Sequence, residues 1–214
     1  RLKAPWLKYY EPSLRALDYP DLTMYQMVKE VCMRFPEYPA YEFFGKKTGY
    51  RDMLAGIDLA ARALRAMGIG RDDRVTICMP NCPQAIDLFY AVNKIGAVAN
   101  MVHPLSAPAE IAFYIKDSMS SAVLIMDLFY DKLGCVRAQL DPALTVIVAR
   151  MEDALAPLIR AGYALKKKKL PPVAGDHIAW RDFLARGRAY FGACEADTSK
   201  GDLDPAVILY SGGT

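Results

Sequence analysis

The sequence predicts an α/β fold, a doubly wound parallel sheet with flanking helices, and three observations carry that prediction. Short segments that are apolar throughout, rather than alternating, occur at Arg74–Met79, Ala97–Val102, Ala122–Asp127 and Thr145–Ala149. Such strands belong to parallel sheets covered on both faces. Segments of helical period separate these strands from about residue 74 to 149, the order that builds crossover units. The composition, 53% hydrophobic and 24% charged over 214 residues, supports a sizeable core and is far from that of a disordered chain.

The elements follow in chain order. Residues 1–21 hold Pro5, Pro12 and Pro20 among aromatics and read as an extended arm. A helix is expected over about Leu22–Phe35, with Thr23 as its cap and Pro36 and Pro39 beyond its end. Tyr41–Phe44 reads as a short strand, with a turn at Gly45–Gly49. Tyr50, Leu54, Ile57, Ala61, Leu64 and Met67 recur at intervals of three and four, which predicts a helix closed by Gly68 and Gly70. After the strand at Arg74–Met79, Asn81 is the expected cap of a helix with Pro83 and Gln84 in its first turn, reaching about Lys94. After Ala97–Val102 comes a loop at His103–Leu105, then a helix capped by Ser106 and running to about Ser118. A helix over Leu128–Leu140 links the third and fourth strands. From Arg150 to Asp204 the alternation breaks. Helix candidates at Met151–Leu165 and Trp180–Arg186 flank the run Lys166–Lys169 and Pro171–Pro172, so 150–204 reads as an insertion. Ala206–Tyr210 is a fifth strand, and 22–149 forms the main α/β unit.

Composition narrows the functional classes. A formal net charge of +3, with one short lysine run, gives no clustered basic face for a nucleic-acid partner. The five cysteines lack framework spacing, and the Cys78/Cys82 pair has no second pair or histidine cluster to complete a zinc site. Free thiols fit a reducing, cytoplasmic setting. No apolar run approaches the roughly 18–20 residues of a spanning helix. No metal site is expected from these residues.

The chemistry concentrates at the end of the chain, Ala206-Val-Ile-Leu-Tyr210-Ser211-Gly212-Gly213-Thr214. A buried strand runs directly into a loop of two glycines and two hydroxyls. Glycine lets the backbone approach a ligand closely, successive N–H groups can face an anion, and the hydroxyls of Ser211 and Thr214 add donors. A plain turn accounts for the same residues. A parallel strand followed by one loop lacks the crossover that would cover it, so the chain is expected to be a truncated piece.

Four segments in register resemble the adenylate-forming superfamily of acyl-CoA synthetases, luciferases and peptide-synthetase adenylation domains. Gly49-Tyr50-Arg51-Asp52-Met53 resembles the family's Thr-Tyr-x-Glu-Leu, with Gly49 and Asp52 as departures. Asp73-Arg74-Val75-Thr76-Ile77 with Met79-Pro80-Asn81-Cys82-Pro83 is similar to its Asp-Arg-Val…Leu-Pro-Asn-Ser-Pro. Lys94-Ile95-Gly96-Ala97-Val98 leading to His103-Pro104-Leu105 resembles Gly-Ala-Val…Asn-Pro-Leu, with His103 where Asn is commoner. Tyr210–Thr214 resembles the first half of a phosphate loop that continues Thr-Gly-x-Pro-Lys-Gly.

The resemblance implies the N-terminal part of the large domain of an adenylate-forming enzyme. It also implies a two-step reaction. A carboxylate attacks the α-phosphorus of ATP, bound with Mg2+, to give an acyl-adenylate and pyrophosphate; coenzyme A then displaces AMP. Ser211, Gly212, Gly213 and Thr214 would contact the β- and γ-phosphates, and the catalytic residues are expected downstream, so this piece alone is expected to be inactive. The stretch Leu158–Leu165, Lys166–Lys169 and Leu170-Pro171-Pro172 is similar to the long insertion of bacterial long-chain fatty acid–CoA ligases, which points to a fatty acid as substrate.

Other readings stay open. An apolar helix beside Lys166–Lys169 suits peripheral contact with an anionic membrane, and a solvated basic loop suits the same residues. His103 lies where open α/β sheets bind ligands, although a loop histidine before proline is commonly structural. His177 reads as surface, and Phe89, Tyr90, Phe113 and Tyr114 as packing. Adenylation of an aryl or amino acid, or a non-catalytic Rossmann-like binding module, are the alternatives. No Gly-x-Gly-x-x-Gly follows an early strand, which counts against dinucleotide binding.

Overall fold

The computed structural model describes residues 4–12, 20–166, 177–201 and 203–211. Pro5–Tyr9 form a single exposed 3-10 turn, so this part of the arm is coiled where the prolines predict extension. Helix α1 (Met24–Arg34) follows. Thr23 caps it as expected: its hydroxyl accepts from Gln26 N–H at 3.2 Å, and Gln26 accepts from Thr23 N–H at 2.7 Å. Strands β1 (Pro39–Phe43) and β2 (Lys46–Gly49) form an antiparallel hairpin, so the expected turn at Gly45–Gly49 is mostly strand. The turn itself is Phe44-Gly45, both at positive φ, leaving Lys46 onward free to pair.

Helix α2 (Tyr50–Ala66) buries Met53, Ile57, Ala60, Ala61, Ala63 and Leu64, the face its periodicity marks. Strand β3 (Arg74–Cys78), helix α3 (Pro83–Lys94), strand β4 (Val98–Met101), helix α4 (Pro108–Asp117) and strand β5 (Ala122–Met126) come next. Two caps differ from expectation. Asn81 is exposed and Cys82 takes the α3 cap position, because Pro83 at the first helical residue presets the helical φ without a side-chain bond. Ala107, not Ser106, caps α4; its N–H donates to Glu110 at 2.8 Å and Pro108 occupies the first turn.

The expected helix over Leu128–Leu140 is broken. A 3-10 turn at Asp127–Phe129, helix α5 (Tyr130–Gly134) and a 3-10 turn at Arg137–Gln139 share the span. Strand β6 (Thr145–Ala149) follows, and Met151–Asp153 is a 3-10 turn, with helix α6 (Pro157–Lys166) starting at the proline that sequence treats as a disturbance. Strand β7 (Ile178–Ala179), helix α7 (Trp180–Ala189) and strand β8 (Val207–Leu209) complete the described chain.

The main sheet has six parallel strands in the order β7-β6-β5-β3-β4-β8. The chain moves from β3 to β4 on one side, then crosses to β5, β6 and β7 on the other, which is double winding. One face carries Val75, Ile77, Ala99, Leu124 and Ile147 against α2, α3 and α7, with Trp180 and Phe183 in that cluster. The other face carries Val123, Ile125, Val146 and Val148 against α4 and α5. Within 150–204, part of the described chain rejoins the sheet. Ile178–Ala179 extend it beside β6, and α7 returns to the α2 face. This pairing places His177 against Tyr130, hydrogen-bonded at Nδ1 and edge-on to its ring, so His177 is half-buried rather than surface.

Candidate functional site

Open α/β sheets bind ligands outside the carboxyl ends of their strands. Here those ends present Met79-Pro80 after β3, Val102–Leu105 after β4, Asp127 after β5 and Tyr210-Ser211 after β8. β8 pairs with β4 in the register Ala99↔Val207, Asn100↔Ile208, Met101↔Leu209. Ser211 is exposed at this rim, while Gly212, Gly213 and Thr214 lie outside the described residues.

Two groups fix the strand that delivers Ser211. At its start, Asn93 of α3 donates through Nδ2 to Ala206 O at 3.2 Å. At its end, the Tyr210 hydroxyl donates to Asp117 Oδ2 at 2.8 Å, and its ring stacks on Tyr114 with centroids 4.2 Å apart. Burial, then the Asp117 hydrogen bond and charge, push the Tyr210 hydroxyl up to about 12, so it stays a proton donor. The sequence marks Tyr114 as packing and Tyr210 as the start of the loop motif, but an aromatic at a strand end and one in a helix show no sign there of meeting. Beneath them, Asn100 Nδ2 donates to Thr76 Oγ1 at 2.8 Å and to Ser118 Oγ at 2.9 Å, a buried polar tie between β3, β4 and α4.

The β4 loop is held as firmly. Ser106 N–H donates to His103 O at 3.0 Å, closing a turn with Pro104 at its second position. Lys132 of α5 donates to Pro104 O at 3.1 Å and to Ser106 O at 2.9 Å. Leu105 N–H donates to His103 Nδ1 at 3.2 Å. A side-chain acceptor bonded to the N–H two residues on is what Asn supplies in an Asx turn. His103 therefore copies the commoner Asn, and in the neutral ring the proton sits on Nε2. We expect His103→Asn to leave stability unchanged and His103→Ala to lose about 0.5–1 kcal/mol, measured by urea unfolding; equal losses in both would refute the turn role.

The Cys78/Cys82 pair gives no reactive centre. Burial pushes the Cys78 thiol up to about 12 and the Cys82 thiol up to about 11, so neither offers a thiolate at neutral pH. Among the described residues no group of three or more His, Cys, Asp or Glu could hold a metal ion, and no helix is long and apolar enough to cross a membrane. Lys166 ends α6, and Lys167–Lys169 lie outside the described residues.

Comparison with known proteins gives a consistent pattern. The family model described as AMP-binding enzyme matches residues 28–214. A long-chain-fatty-acid–CoA ligase of Bacillus subtilis is 30% identical over 221 residues, covering 98% of this chain and 38% of the relative. The long-chain-fatty-acid–CoA ligase FadD13 of Mycobacterium tuberculosis is 36% identical over 115 residues, covering 54% of this chain and 23% of that enzyme. Among solved structures, the anthranilate–CoA ligase AuaEII with anthranoyl-AMP superposes with a TM-score of 0.72 at 16% identity, over 92% of this chain and 33% of that one. The inhibitor-bound N-terminal domain of FACL13 from Mycobacterium tuberculosis gives 0.67 at 26% identity, over 90% and 42%. The chain thus spans well under half the length of the relatives it matches.

Proposed function

The chain belongs to the AMP-binding enzyme family, and on that premise we propose that it forms the N-terminal part of a cytoplasmic, ATP-dependent acid–CoA ligase acting on a fatty acid. The observation that carries this reading is the delivery of Ser211 to the carboxyl rim of the sheet by a strand fastened at both ends. An exposed hydroxyl there, followed in sequence by Gly212, Gly213 and Thr214, fits an oxyanion-rich phosphate chain. Phosphoryl chemistry of this kind depends on positioning and charge stabilisation. In this reading the loop holds the β- and γ-phosphates of Mg-ATP while a carboxylate attacks the α-phosphorus, and coenzyme A receives the acyl group afterwards. The fatty acid is supported by what the Bacillus subtilis and Mycobacterium tuberculosis relatives are named for.

The test is acid-dependent ATP–pyrophosphate exchange by the whole protein, with fatty, aryl and amino acids offered in parallel. Exchange is expected with fatty acids, and preference for an aryl or amino acid would displace that substrate. Ser211→Ala should lower kcat/KM for ATP by about 10- to 100-fold, the loss of one charge-assisted donor. The 214-residue chain alone should show no exchange, and measurable turnover by it would contradict this division of labour.

Peripheral membrane contact through Lys166–Lys169 belongs to the same reading. Helix α6 leads into that run with Leu158 87% exposed and Ile159 42% exposed, apolar side chains that a bilayer surface would cover. Deleting Lys166–Lys169 should weaken sedimentation of the whole protein with anionic vesicles, and unchanged binding would remove the contact.

A further inference from the structure

β8 pairs with β4 only as far as Met101↔Leu209, so Tyr210 lies one residue past the ladder and carries the chain on to Ser211. Among the described residues, the ring contacts and hydrogen bonds of its side chain all go to α4. The ring stacks on Tyr114, with planes 27° apart, and meets Phe113 edge-on at 6.3 Å. The hydroxyl donates to Asp117 Oδ2 at 2.8 Å, and the Tyr114 carbonyl oxygen stands farther off at 3.4 Å.

Asp117 gains nothing from its own helix. It is the last residue of α4, the end where the macrodipole favours a cation and disfavours a carboxylate. Among the described residues it enters no ion pair, and the Tyr210 hydroxyl is the donor its carboxylate receives. A charged acceptor makes this bond shorter and more directional than a neutral one. Asp117 is exposed, so the bond adds little to folding, and its effect falls on where Tyr210 points. Without Asp117 the hydroxyl keeps only the long contact to Tyr114 O.

We propose that Asp117 is a positioning residue for ATP: by holding the Tyr210 hydroxyl it fixes where the next residue, Ser211, stands at the rim of the sheet. This rests on the reading of Ser211–Thr214 as the phosphate loop, and Asp117 acts through Tyr210 rather than on the nucleotide.

The test is the kinetics of the whole protein, with KM measured separately for ATP and for the acid that supports exchange, and a urea midpoint for each variant. Asp117→Ala and Tyr210→Phe should each raise KM for ATP by about 3- to 10-fold, the loss of one hydrogen bond, and leave KM for the acid unchanged. The double variant should be no worse than either single one, because both remove the same bond. Asp117→Asn, whose amide oxygen still accepts, should keep most of the affinity for ATP. A parent-like KM for ATP in Asp117→Ala would overturn the proposal and leave the phosphate-loop reading standing. Additive losses in the double variant would overturn it too, as would equal losses for ATP and acid with a lower urea midpoint. A parent protein without exchange, or Ser211→Ala with unchanged use of ATP, would sink the phosphate-loop reading and this role with it.

Discussion

Replacing Gly187 by alanine is expected to destabilise the protein by about 3 kcal/mol, although alanine is the better helix former. Gly187 sits in α7 with its Cα against α2. A Cβ there would overlap the Leu59 carbonyl oxygen and come within 3.0 Å of the Ala63 nitrogen. Both are backbone atoms of a helix whose inner face is packed on the sheet, so neither can yield without moving α2. The two helices must separate, and Trp180 and Phe183, buried by that contact, lose part of their packing. Gly162 in α6 is the internal control, because a Cβ there meets nothing within 4 Å. Gly162→Ala should gain up to about 1 kcal/mol from helix propensity alone. Urea unfolding of the two variants side by side reads both effects. A neutral Gly187→Ala would mean that α7 is not seated on α2 as described.

That prediction concerns a region where sequence pattern was weakest. The strands at Arg74–Cys78, Ala122–Met126 and Thr145–Ala149 were legible because burial on both faces demands unbroken apolar runs. α2 was legible because one buried face imposes its period, and Thr23 because a hydroxyl at a helix start is a favoured cap. β7 was not legible: two residues, Ile178 and Ala179, are too few to show any period, and only the edge of β6 makes them a strand. The caps at Cys82 and Ala107 were misassigned for a related reason. Asn81 and Ser106 have the right side chains, but the prolines one residue into α3 and α4 decide where each helix begins.

The position of Ser211 at a strand's carboxyl end was likewise legible, since a strand followed by Ser-Gly-Gly-Thr fixes it. The side chains that hold this strand were not: Tyr210 meets Asp117, and Asn93 meets Ala206, across 93 and 113 residues of sequence.

Asp87 was invisible for the same reason, and it sets the second large effect. In the sequence it is an ordinary helix carboxylate; in the fold, burial pushes it up to about 7, with Lys46 opposing weakly. The sign follows from where the proton is held. Below about pH 4, Asp87 is protonated in the folded and unfolded chains alike and contributes nothing to pH dependence. Between about pH 4 and 7 the unfolded chain gives up the proton while the folded chain keeps it, so stability falls as pH rises. Above the folded value the penalty is complete, on the order of 3–4 kcal/mol. Asp87→Asn removes the charge while nearly preserving shape. In sodium salts it should match the parent protein at pH 4, exceed it progressively to pH 7, and hold a constant advantage at pH 8. Tyr41 from the hairpin and Cys82 at the α3 cap do not reproduce that profile, because burial pushes them up to about 12 and about 11, above the range. Urea unfolding across pH 4–8 measures the difference directly. An advantage that is the same at pH 4 and pH 8 would show that the gain comes from packing against Gly56 and not from the buried charge.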